Sequence, residues 1–152
     1  MASFFTDKNI SYFTIPVALI LALYPRSYAA SGPTEKVFDP SNPRTLSTGL
    51  ANSDIDKKAS TVAKVLRAES AVANGIEGLP LFAAAVVAGN TAGLSTLTLN
   101  AASVGYLASR VFYNYVYITL QENRKWASIR TPVWFTGVAA IMTLFVKAGL
   151  KA

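Results

Sequence analysis

Apolar and polar positions alternate along the chain in blocks rather than residue by residue, and the blocks are long. The first apolar block predicts a helix over about residues 9–28, with Tyr12, Tyr24 and Tyr28 placed for the interfacial belts of a bilayer. Residues 31–59 are polar and carry Pro33, Pro40 and Pro43, which predicts a loop. A second helix is expected over about 61–89, capped by Ser60 or Thr61 and kinked at Pro80. Asn90 to Ser95 reads as a short turn, followed by a third helix over about 97–122. Asn123 to Arg130 is a basic turn, and Pro132 suits the start of a fourth helix over about 132–147. No Lys, Arg, Asp or Glu occurs from Leu79 to Ser109 or from Thr131 to Val146. A bilayer span needs roughly 20 mostly apolar residues, so the expectation is one all-α integral membrane domain, a transmembrane four-helix bundle over residues 1–152. The first apolar run is broken by Pro16 and follows one Lys against one Asp, so it reads as a retained helix rather than a cleaved leader.

Polar residues interrupt the second and third spans with helical periodicity. Arg67, Asn74 and Glu77 are spaced seven and three apart, with Ser70 between, so they share one side of the second helix. On the third, Arg110, Tyr117 and Arg124 recur every seven residues, flanked by Tyr113 and Asn114. A charge at the bilayer centre costs about 2.5–3.5 kcal/mol on insertion scales and must face protein or water. The sparing arrangement turns both stripes to a shared interior and pairs Glu77 with Arg110. Such residues can be structural glue alone. The further cation and tyrosine one and two turns on favour a site. Glu69 reads as merely interfacial. Ala101, Gly105 and Ser109 form a ridge of small residues, read as internal packing.

Composition sharpens this picture. Hydrophobic residues are 52% and charged residues 14%, against about 25% charged in soluble domains. The net charge of +6 does not point to nucleic acid, because the basic residues flank apolar spans without interleaved aromatics. They read as topology signals. Arg26 to Arg67 holds seven Lys and Arg and Arg110 to Arg130 holds four, while the other side has only Lys8, Lys147 and Lys151. Eleven against three places loops 1 and 3 in the cytoplasm. Without Cys or His, thiolate nucleophiles and zinc-thiolate sites are excluded, and no metal site is expected.

Three segments resemble the MAPEG family, the membrane-associated proteins of eicosanoid and glutathione metabolism. Ala71-Val-Ala-Asn74-Gly-Ile-Glu77-Gly-Leu-Pro80-Leu-Phe82 is similar to the family's A-x-x-N-x-x-E-x-x-P-x-F on its second helix. Tyr106-Leu-Ala-Ser-Arg110-Val-Phe-Tyr113 with Tyr117 resembles the third-helix pattern, and Ile129-Arg130-Thr-Pro-Val-Trp134-Phe-Thr-Gly137 the start of the fourth. The resemblance implies a homotrimer in the endoplasmic reticulum or a related membrane. It implies glutathione held by Asn74, Glu77, Arg110 and Tyr113, with a lipophilic substrate arriving from the lipid bilayer. Ser70 stands where glutathione-using members often carry Arg, and Arg67, one turn earlier, is the candidate substitute. Tyr117 and a cytoplasmic-mouth Arg would serve catalysis, the Arg by stabilising the thiolate. Arg124 fits that role by spacing from Tyr117 and Arg130 by its surroundings, which make Arg130 the choice. The implied function is a glutathione-dependent transferase or peroxidase acting on a lipophilic electrophile. The rivals are an isomerase or cyclase using Glu77 as an acid, and a non-catalytic membrane scaffold.

Overall fold

The computed structural model describes residues 6–28, 34, 37–53, 60–120 and 128–152. Among these, four principal helices form the molecule: α1 (Thr14–Leu23), α2 (Ser60–Thr91), α3 (Thr96–Ile118) and α4 (Arg130–Lys151). Tight 3-10 turns, Ser11–Phe13 and Tyr24–Tyr28, extend α1 at both ends. The core lies where all four meet, with Ala18, Phe82, Ala85, Val86, Leu99, Tyr106, Ile141 and Leu144 buried. There Phe82 and Tyr106 stack at 3.9 Å between ring centroids.

Each principal helix also turns large apolar side chains outward: Ile20 on α1, Leu81 on α2, Phe112 on α3 and Phe135 on α4 are all more than half exposed. An apolar surface on every helix suits lipid rather than water. Two helices, Val62–Thr91 and Arg130–Lys151, are long and apolar enough to cross a membrane. The third span falls short of that measure for a physical reason. Its Asn100, Ser103, Ser109 and Arg110 lower its hydropathy, yet all four are buried.

Helix ends are set by local chemistry. Gly93 adopts φ 65°, and the Leu94 N–H reaches back to the Gly89 carbonyl at 3.0 Å, which closes α2 in a left-handed cap. Ser95 caps α3 by accepting from the Thr98 N–H. The helix continues through Pro80 without interruption. At about 1.5 Å per residue, 32 residues span about 48 Å, more than the ~30 Å hydrocarbon core. The surplus packs beyond it: Val62 and Val65 cover Leu46 and Leu50. Those leucines belong to a short helix, Leu46–Ala51, preceded by a 3-10 turn at Pro43–Thr45. The expected loop over 31–59 is therefore partly helical. Pro43 starts the turn, where its missing N–H costs nothing. The third helix ends at Ile118 rather than 122, and the fourth runs from 130 to 151.

Asparagines tie α1 into the bundle at both ends. Asn100 accepts from the Ile10 N–H at 2.9 Å and donates to the Lys8 carbonyl at 2.7 Å. At the other end Pro25 has no N–H to give the Leu21 carbonyl, and the Asn114 amide supplies the missing donor at 2.9 Å. Asn114→Leu should therefore destabilise the bundle by about 1–3 kcal/mol, the cost of an orphaned buried carbonyl. Restoring the N–H with Pro25→Ala in the same chain should recover part of that loss in detergent melting. Equal melting of Asn114→Leu and wild type would remove Asn114 from this role.

The small-residue ridge on α3 divides. Ser109 is buried, but Ala101 and Gly105 are exposed, and a Cβ built on Gly105 meets nothing within 4 Å. Internal packing does not account for it.

Candidate functional site

The two polar stripes do not meet as expected. On α2, Glu77 lies nine residues from the fully buried Ala68, about 180° round a helix at 3.6 residues per turn. It therefore faces away from the bundle and is exposed. Arg110 points inward, 8% exposed. The expected Glu77–Arg110 ion pair is absent among the described residues, because Glu77 is turned out to an exposed position while Arg110 is buried against neutral groups. Among the described residues the ion pair that forms is Arg26–Glu69, at 2.9 Å. Glu69 thus clasps α1 to α2 rather than sitting idle at the interface.

Arg110 is instead enclosed by neutral partners. Its Nη1 donates to Asn74 Oδ1 at 3.5 Å, its Nη2 to the Trp134 carbonyl at 3.2 Å, and its Nε to Ser109 Oγ at 3.3 Å. The Tyr106 and Tyr113 rings flank the guanidinium at 5.4 and 5.1 Å. Gly137 leaves the room: a Cβ there would sit 2.5 Å from Arg110 Nη2 and 2.7 Å from Ser109 Oγ. Arg110 thus braces Asn74 and α4 from behind.

In front of that brace an open cleft of about 450 Å³ is lined by Ser70, Asn74, Glu77, Tyr113, Tyr117, Arg130, Thr131 and Trp134, with Ala73. Such a volume falls within the usual range for small-molecule sites. The Arg130 guanidinium lies 4.8 Å over the Tyr117 ring, and the Tyr113 and Tyr117 rings are 5.5 Å apart. A cation on an aromatic face is held in place without losing its charge. Both faces of an amphoteric ligand find partners here: a guanidinium, a carboxylate, an amide and two phenols.

Of the residues singled out from sequence, Asn74, Glu77, Tyr113, Tyr117 and Arg130 line this one cleft. Arg110 stands behind it, and Arg124 lies outside the described residues. Arg67 is placed elsewhere. Its Nε and Nη2 donate to the Ile118 carbonyl at 3.4 and 3.2 Å, capping the C-terminal end of α3. Arg67 is therefore committed to a helix end and does not line the cleft. Ser70 and Thr131 were not candidates on their own. Ser70 precedes Asn74 by one turn and could be found by periodicity, whereas Gly137 carries no signal short of the packing itself.

Because Glu77 and Arg110 are not partners, their effects on stability should be additive. A double-mutant cycle of Glu77→Leu and Arg110→Leu in detergent should give a coupling within about 0.5 kcal/mol of zero. A coupling of several kcal/mol would restore the buried pair.

No curated protein and no solved structure matches the chain. The model of the MAPEG family, however, matches residues 12–150, nearly the whole chain and every element that builds the cleft. The helical membrane bundle thus stands on a match over nearly the whole chain, and this chain belongs to the MAPEG family.

Proposed function

We propose that the chain is a glutathione-dependent transferase or peroxidase acting on a lipophilic electrophile. The observation that carries this is the convergence of Asn74, Glu77, Tyr113, Tyr117 and Arg130 on one open cleft. The donor set suits glutathione, which has carboxylates, an ammonium and a thiol. Bound there, glutathione supplies a nucleophilic thiolate. Glu77 accepts from the ammonium, and Asn74 and the tyrosine hydroxyls donate to carboxylate oxygens. Arg130 holds a positive charge at the mouth, which favours the ionised form of a thiol whose free pKa is about 8.5. Titration of the purified protein with glutathione tests the proposal. A dissociation constant in the millimolar range or tighter is expected, and no saturable binding would overturn it. The acid-catalysis rival needs a desolvated Glu77, and this chain alone leaves that side chain exposed.

The cleft also bears on assembly. A carboxylate facing outward from a membrane helix is costly against lipid, so Glu77 must face water or another chain. A homotrimer, with neighbouring copies closing one another's clefts, satisfies that requirement. The charge asymmetry and the family support residence in the endoplasmic reticulum or a related membrane, with loops 1 and 3 cytoplasmic. Residues 37–53 should then be cut by protease added to the cytoplasmic side of sealed vesicles. Cleavage only from the opposite side would reverse the orientation.

A further inference from the structure

A second concavity lies between α1 and α3, away from the cleft. It measures about 310 Å³ and is lined, among the described residues, by Leu21, Tyr24, Val111, Asn114, Tyr115 and Ile118, with Thr119 at its edge. Tyr24, Val111 and Tyr115 are each more than half exposed, so the crevice opens laterally from the bundle. It sits at the last turn of α3 and the end of α1, the level at which tyrosines mark a membrane interface.

Its chemistry narrows the occupant. The walls are apolar and aromatic, and among the described residues no charged side chain lines them. Two nearby cations are committed elsewhere, Arg26 to Glu69 and Arg67 to the Ile118 carbonyl. Asn114 spends one N–H on the Leu21 carbonyl, which leaves its Oδ1 and second N–H without a partner among the described residues. The Thr119 hydroxyl adds a further donor and acceptor to the same lining. Polar groups at membrane depth are expensive when unmatched. Two acceptors and two donors in an apolar slot without a charged lining residue match an uncharged diol with an adjoining ester better than a single hydroxyl.

We propose that the α1–α3 crevice binds a neutral glyceride lipid, with its glycerol hydroxyls on Asn114 and Thr119 and its acyl chain running out between Val111 and Tyr24. The site does not depend on glutathione use. The test uses the full chain in phosphatidylcholine nanodiscs with a monoacylglycerol carrying a photoreactive group in its acyl chain. Labelling should map to the ends of α1 and α3, and Val111→Trp, which fills the slot, should cut it at least about fivefold. Thr119→Val, a near-isosteric change, should weaken binding about threefold to tenfold, as for one lost hydrogen bond. Unlabelled monoacylglycerol should compete at least about tenfold better than its dimethyl ether, a lysophosphatidic acid or a sterol. Equal competition by the ether would reduce the crevice to a passive acyl slot and overturn the proposal. Preference for the anionic lipid or the sterol would overturn the assigned headgroup. Labelling spread over α2 and α4, or cross-links to a second copy, would remove the site itself.

Discussion

Arg130→Leu is expected to abolish the thiolate absorbance of bound glutathione at neutral pH while leaving binding of the thiol form largely intact. The guanidinium lies over Tyr117 in the cleft, and among the described residues no carboxylate forms an ion pair with it. A thiol of pKa about 8.5 is only a few per cent ionised at pH 7, whereas one lowered to about 6 is mostly ionised. The expected loss of nucleophile is therefore about thirtyfold, and turnover should fall at least as far. Difference spectra against pH would measure it directly. Arg124→Leu should have a smaller effect. If Arg124→Leu removes the signal and Arg130→Leu does not, the thiolate residue is Arg124. If wild type gives no thiolate signal at saturating glutathione, the thiol chemistry fails as a whole.

Gly137→Ala should destabilise the protein although alanine is the better helix former. A Cβ at this position would overlap Arg110 Nη2 and Ser109 Oγ, and Arg110 is held on several sides by Asn74, the Trp134 carbonyl and two tyrosine rings. Overpacking of this kind costs about 1–3 kcal/mol. In a chain of this size that lowers the melting temperature by roughly 3–10 °C. Glutathione affinity should drop with it, since Arg110 can no longer brace Asn74. Gly105→Ala is the control, because a Cβ there meets open space. That change should be neutral or stabilising by about 0.5–1 kcal/mol, the ordinary gain over glycine within a helix. Identical melting of both variants would mean that Arg110 has room to move aside and is not the brace described here.

Sequence periodicity alone determined that four helices exist, roughly where they lie, and that Asn74, Glu77, Arg110, Tyr113 and Tyr117 recur at helical spacing. These are short-range facts, fixed by 3.6 residues per turn and by the avoidance of charge over the length of a bilayer. The short helix after Pro43 was not legible, because its two buried leucines are anchored by valines of α2 rather than by any pattern of their own. Which way each polar stripe faces was decided only by packing. Ala68, Val86 and Phe82 claim the inward side of α2, so Glu77 is turned out to the cleft and Arg110 is left to neutral partners. The roles of three further residues were likewise tertiary. Arg67 caps a carbonyl 51 positions away, Asn114 serves one exposed by Pro25, and Gly137 matters only because an arginine from another helix lies against it. A sequence records which groups can bond and at what spacing along one helix. Which of them meet depends on how the helices rotate against one another, and that is set by burial summed over the whole core.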